Sequence, residues 1–296
     1  MMRLARFRAN TEDETHVGVV RDGALFEVAE PWLEALAGCA GLIPRPLTET
    51  GRSFPLEDCE FLAPLPDQGR GVFCVGMNYP DHDAEARGLL KAPATKDPVL
   101  FLKLASAMAD PNAVLHLERS VSEQFDWEVE LGVVIGRAGR DIHPGDVAKY
   151  IAGYAIVNDV TARDLQRRHL QWFMGKNVHA SSPIGPWVTT LDEAGYPPVL
   201  EMLLTVNGEE KQRGKTTDMV FDVPTLISTV SKAVELLTGD VFATGTPAGV
   251  GFARQPPEFL RAGDVIEARI EGLGHQRNVV TAQGGAAMDD QRAGGS

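Results

Sequence analysis

Residues 125–131 read Phe-Asp-Trp-Glu-Val-Glu-Leu. Apolar and acidic side chains alternate without a break, and an extended strand is the backbone that sorts such an alternation onto two faces. Phe125, Trp127, Val129, Leu131 and Val133 then point one way, into a core. Asp126, Glu128 and Glu130 point the other way. Glu128 and Glu130 fall roughly 7 Å apart, at ~3.3 Å of rise per residue. Periodicity alone fits either a solvated edge face or a face that holds a cation.

The rest of the chain supplies more strands than helices. Residues 17–20 and 24–26 flank Arg21-Asp22-Gly23, a hairpin signal. A short helix is expected over 31–37. Residues 62–70, with two prolines, mark a boundary between a small N-terminal α+β domain (1–66) and a main domain (71–281). Strands are expected over 71–76, 129–135, 151–157, 203–206, 241–243 and 265–270. The polar segment 78–96 reads as loop with a short helix. An amphipathic helix is expected over 223–237, with Leu226, Val230, Ala233, Val234 and Leu237 as its apolar stripe and Gly239 as its C-terminal cap. Strands and helices do not alternate regularly, which disfavours a doubly wound parallel sheet. The Gly- and Ala-rich segment 282–296 reads as a disordered tail.

Charge narrows the partners. Subtracting 41 acidic from 28 basic residues gives −13. That sign disfavours nucleic acid and anionic membrane, although a bound dication can still attract a small anion. Three cysteines without a CxxC pair point away from disulfides and cysteine zinc sites. The first residues carry no signal-peptide core, and no run approaches the ~18 apolar residues of a membrane span. A reducing cytoplasm is the expected compartment.

A second acidic position lies at the end of the apolar run 151–157, which leads directly into Asn158-Asp159. Thr161 and Asp164 have capping-box spacing, so Asp164 reads as capping chemistry and Asp159 as a strand-end site residue. Glu128, Glu130 and Asp159 would together offer hard oxygen ligands for Mg²⁺ or Mn²⁺. His82 and Glu85 are spaced i, i+3 and meet on one helical face, where a carboxylate can orient the imidazole as a base. A surface histidine beside a surface acid has the same spacing. Gly245 to Gly251 lacks the Gly-Lys-Ser/Thr ending of a phosphate loop and reads as a turn lining a substrate site. Trp172 and Phe173 read as packing.

Gly76-Met77-Asn78-Tyr79 with His82 and Glu85 resembles the GxNYxxHxxE segment of the fumarylacetoacetate hydrolase superfamily. Trp127-Glu128-Val129-Glu130-Leu131 resembles its paired-glutamate strand, and residues 158–166 resemble its NDxTARDxQ segment. Gly175-Lys176, residues 183–187, residues 206–209, Thr244-Gly245-Thr246-Pro247 and Gly272-Leu273-Gly274 continue the likeness in family order. The resemblance implies a mixed, mainly β fold, a β-sandwich roll preceded by a small N-terminal domain and assembled as a homodimer. It implies a divalent metal on Glu128, Glu130 and Asp159. It implies that Lys176 and Gln166 contact a 2-oxo acid substrate, with Thr246, Asn78 and Tyr79 around it, and that His82 and Glu85 belong to a closing lid. The expected reaction is hydrolytic C–C cleavage of an acylpyruvate. Residues 168–173 before Gly175-Lys176 also resemble decarboxylase-like members, which keeps oxaloacetate decarboxylation or tautomerisation as the alternative. Lys176-Asn177-Val178-His179 departs from the Ser-Phe-Asp type of run that follows the lysine in many relatives.

Overall fold

The computed structural model describes residues 2–66, 69–90, 96–169 and 171–282. The chain is mixed and mainly β. The largest sheet runs, neighbour by neighbour, through Glu49–Pro55, Ala24–Val28, Thr15–Arg21, Arg3–Ala9, Ser182–Thr189, Ile151–Asn158, Val129–Ile135, Val241–Ala243, Val72–Gly76 and Val99–Lys103. A second sheet orders Glu209–Lys215, Glu201–Val206, Val265–Ile270, Gly274–Thr281 and Leu115–His116. The N-terminal strands continue the main sheet, because Arg3 and Leu4 pair with Thr189 and Val188. The expected hairpin forms, with Asp22 and Gly23 at φ 48° and 75° making the tight reversal.

The two sheets face each other across one apolar core. Trp127, Val129, Leu131, Val133 and Ile135 project into it and meet Met202, Leu204, Ile266 and Ile270 of the second sheet. The apolar side of the alternation is buried as expected, but the single strand read from the sequence is broken: Phe125–Asp126 pairs with Thr161–Ala162 in a separate two-stranded sheet, Val129–Ile135 joins the main sheet, and Trp127 and Glu128 lie between them. On the other face of the main sheet, Val134, Ala152, Ala155 and Val157 pack with Leu36 and Trp32 of the helix Trp32–Cys39. Burial on both faces makes this central strand pair continuously apolar except where acids are placed.

Three expectations change. The helix expected over 223–237 is Val223–Ala233. Val234 turns extended, at φ −122°, and Leu236 bridges Gly139, so the chain leaves the helix to join a strand contact. Leu236 is buried there in place of Leu237, and Gly239 lies in a later turn. Thr161 is no helix cap. It belongs to the short strand Thr161–Ala162, pairs with Asp126, and donates its hydroxyl to the Asp159 carbonyl. Asp164 instead accepts the Ser122 hydroxyl. Third, the polar segment after Asn78 holds a helix of eleven residues, Pro80–Leu90. Beyond residue 282, the expected tail lies outside the described residues. No helix among the described residues is long and apolar enough to cross a membrane.

Candidate active site

The antiparallel pairing of Val129 with Asn158 brings the two acidic positions together. The Asp159 amide donates to the Glu128 carbonyl at 2.8 Å, and the Asn158 side chain accepts the Glu128 amide at 3.0 Å. One ligand oxygen from each of Glu128, Glu130 and Asp159 lies within 4.8 Å of the others, and all three residues are buried. Periodicity placed both glutamates on one face. The strand pairing adds the aspartate.

Buried carboxylates need counter-charges. Lys176 supplies the first: its Nζ lies 2.6 Å from Glu128 Oε2 and 2.7 Å from Asp159 Oδ2. It reaches them from the one-turn helix Phe173–Lys176. Gly175 permits this docking, since a Cβ there would come within 2.6 Å of the Gln166 amide. Arg163 supplies the second: its Nη2 is 2.5 Å from Glu128 Oε1, its Nε is 2.8 Å from Asp126 Oδ2, and its Nη1 donates to Gln166 Oε1. Lys103 supplies the third, 2.6 Å from Asp159 Oδ1 and wholly buried. Glu130 accepts the Gly245 amide at 2.8 Å.

These partners set the charge states. Burial alone would raise the Glu128 carboxyl, but Lys176, Arg163 and His82 outweigh it and hold it at about 2. Burial opposes the Lys176 charge, and Asp159 and Glu128 more than offset this, so the ammonium is held more firmly than a free lysine's. Glu130 goes the other way. Burial, then Asp159 and Glu128, push its carboxyl well above the usual range.

A dication fits this set. The donors are hard oxygens in a buried cluster. Asp159 Oδ1 receives no aligned hydrogen bond despite its short ion pair with Lys103, which leaves a lone pair for a cation. Glu130 carries charge only against the repulsion of its neighbours, which a cation would reverse.

Glu128 and Glu130 line a cavity with Lys176, Arg163, Gln166, Thr246 and His82. His82 is buried, with Nδ1 3.0 Å from Glu85 Oε1. Glu85 in turn accepts the Gly249 amide at 3.0 and 3.2 Å, which ties the helix Pro80–Leu90 to the turn after Thr246. The Thr246 hydroxyl donates to the Val129 carbonyl and accepts from Gln212, so it shapes the wall through bonds already made.

Two expected substrate contacts lie elsewhere. Asn78 is fully buried and clamps the chain, donating to the Phe221 and Thr244 carbonyls and accepting the Phe221 amide. Tyr79 sits in the sandwich core with its hydroxyl toward Met202. Trp172, read as packing, lines the cavity with Phe101 and Met77. Sequence reading also missed Lys103, Arg163 and the anchoring role of Asp126, which accepts the Gly251 and Phe252 amides besides Arg163. Lys103 had a signal: it is the lone charge in the run Val-Leu-Phe-Leu-Lys-Leu-Ala of residues 99–105.

A cavity that brings together two of the three clustered carboxylates, a buried lysine and a histidine paired with a carboxylate is the kind of site at which enzymes act on small molecules. The chain belongs to the fumarylacetoacetate hydrolase family, a family of enzymes. Residues 71–281 match its description "Fumarylacetoacetate (FAA) hydrolase C-terminal", and residues 2–64 match "Rv2993c-like, N-terminal". The chain is 39% identical over 291 residues to the mitochondrial oxaloacetate tautomerase FAHD2A of Bos taurus, covering 92% of this chain and 90% of that one. It is 38% identical over 287 residues to the 2,4-didehydro-3-deoxy-L-rhamnonate hydrolase of a Sphingomonas species, covering 95% and 96%. Its fold matches the solved fumarylacetoacetate hydrolase of Exiguobacterium antarcticum with a TM-score of 0.79 at 36% identity, covering 96% of this chain and 100% of that one.

Proposed function

We propose that this protein hydrolyses a C–C bond in an acylpyruvate or a related 1,3-dioxo acid, with Mg²⁺ or Mn²⁺ on Glu128, Glu130 and Asp159. The carrying observation is buried His82, held by half-buried Glu85 that the Gly249 amide fixes, on the same cavity as Glu128, Glu130 and Lys176. A bound dication would supply Lewis-acid polarisation of the 2-oxo acid end. The chain's own groups do the rest. Glu85 engages Nδ1 of His82 and leaves Nε2 to take a proton from water as the oxygen attacks the distal carbonyl. The C–C bond breaks, the acyl fragment leaves as a carboxylic acid, and the remaining carbon takes a proton to give pyruvate. Lys176 has three ammonium hydrogens, two of them on Glu128 and Asp159, and its charge stabilises the enolate that precedes this proton transfer.

A panel of acylpyruvates offered to the manganese-loaded protein tests the reading. Pyruvate and the matching acid, followed by NMR, should appear in equal amounts. Failure of every member of the panel would overturn hydrolysis.

A second reading is tautomerisation or decarboxylation of oxaloacetate. The full-length likeness to an oxaloacetate tautomerase favours it, together with residues 168–173 before Gly175-Lys176. It needs the same lysine and a proton-accepting group, and no attacking water. Loss of enol-oxaloacetate absorbance without pyruvate would select tautomerisation. The reading further includes a cytoplasmic homodimer. Light scattering should then give about twice 32.0 kDa.

A further inference from the structure

We infer that Trp172, with Met77 and Phe101, forms the wall that selects the substrate's distal substituent, and that this substituent is uncharged. The inference rests on the reading that a 2-oxo acid end is taken at Glu128, Glu130 and Asp159.

The cavity is divided by chemistry. Its charged lining comes from the acid triad's glutamates, Arg163, Lys176 and His82, and most of the rest is Val75, Gly76 and the three wall residues. Trp172 lies so close over Gly76 that a Cβ there would approach its ring to 2.5 Å. Phe101 meets the Trp172 ring edge-on, with centroids 5.5 Å apart, and its own ring lies 5.0 Å from Lys176 Nζ. The aromatic wall therefore begins where the charged floor ends. Met77 adopts φ 57°, a left-handed conformation unfavourable for a bulky side chain. Each wall residue is half-buried.

The cations of the cavity are already committed. Arg163 serves Asp126, Glu128 and Gln166, and Lys176 serves Glu128 and Asp159. Among the described lining residues, a distal carboxylate would lose its water and gain no unpaired cation. An alkyl or neutral acyl group would instead gain contact with the Trp172 and Phe101 rings.

Calorimetry on the manganese-loaded protein tests this with oxalate and with the straight-chain 2-oxo acids from pyruvate to 2-oxohexanoate. Wild type should gain up to roughly fourfold in affinity per added methylene. Trp172→Ala should flatten the series, Trp172→Phe should keep most of the slope, and both should bind oxalate, which has no distal group, within about twofold of wild type. 2-Oxoglutarate should bind more weakly than 2-oxopentanoate. An unchanged slope in Trp172→Ala, loss of oxalate binding in both variants, or tighter binding of 2-oxoglutarate would overturn the inference. Failure of wild type to bind oxalate would instead remove the underlying 2-oxo acid reading. A wild type that shows the slope yet releases no pyruvate from acylpyruvates would leave the wall standing and remove hydrolysis.

Discussion

Lys103 Nζ lies 2.6 Å from Oδ1 of Asp159, an ion pair in which neither side chain reaches solvent. Lys103 also donates to the Val160 carbonyl at 3.1 Å, so it holds both the side chain and the following backbone of the strand-end corner. Removing one member of a buried pair strands the other, which costs about 3–5 kcal/mol. Lys103→Met should therefore lower stability by that order in urea unfolding. Adding Asp159→Asn should recover part of the loss, with a coupling of roughly 0.5–3 kcal/mol. Strictly additive losses would show that the pair does not act as a unit.

Glu130 is the carboxylate whose pKa is pushed well above the usual range by burial and by Asp159 and Glu128. Glu130→Gln keeps an oxygen for the Gly245 amide and removes the repulsion. The metal-free variant should unfold at the same urea concentration as wild type or higher. Its Mn²⁺ affinity should fall at least roughly tenfold, as for losses of metal-site partners. Chelator should abolish wild-type turnover, and Mg²⁺ or Mn²⁺ should restore it. Wild-type Mn²⁺ affinity in the variant would remove Glu130 from the ligand set.

The same residue sets a pH dependence. Its folded pKa lies above the unfolded value, so below that raised value the metal-free protein binds a proton there that a dication must expel. Metal affinity should rise with pH, by up to about one decade per unit, from the ordinary carboxylate range up to the raised Glu130 value. Glu128, already held at about 2, should contribute nothing to this slope near neutrality. Calorimetry in two buffers of different ionisation enthalpy should count about one proton released per metal bound. A count near zero would mean that Glu130 is already ionised.

Sequence periodicity reached the site as far as strands reach. The alternation from Phe125 to Val133 put Glu128 and Glu130 on one side although the strand breaks at Trp127-Glu128, and the polar end of the run 151–157 marked Asp159, because both patterns are local to extended chain. What pairs with those acids is set between elements. Lys103 comes from an outer strand of the sheet and Arg163 from the helix after the corner, and no local spacing links them to Glu128 or Asp159. Thr161 misled for the opposite reason: its capping-box spacing is local, and the strand pairing of Asp126 with Thr161 overrides it. The helix expected to run to Leu237 ended at Ala233 because the Leu236–Gly139 bridge lies far away in sequence. Trp172 read as packing since an aromatic residue looks alike in a core and in a cavity wall.

His82 and Glu85 separate the base from its support. Glu85 touches both the imidazole and the Gly249 amide, so it joins the helix Pro80–Leu90 to the turn that follows Thr246. His82→Ala should lower kcat on an acylpyruvate by roughly 10²–10⁴, the usual worth of a positioned acid–base group. Mn²⁺ affinity should change little, because His82 is outside the acid triad. Glu85→Gln keeps an oxygen for the Gly249 amide while weakening the charge beside the ring, so its loss in kcat should be smaller, with KM nearly unchanged. Glu85→Ala frees the turn as well and should raise KM in addition to lowering kcat. Stopped-flow turnover of all three variants, each checked for bound manganese, reads these effects apart. If His82→Ala cleaves acylpyruvate at the wild-type rate, the base lies elsewhere; if Glu85→Gln and Glu85→Ala behave alike in KM, the Gly249 contact does not position the helix Pro80–Leu90.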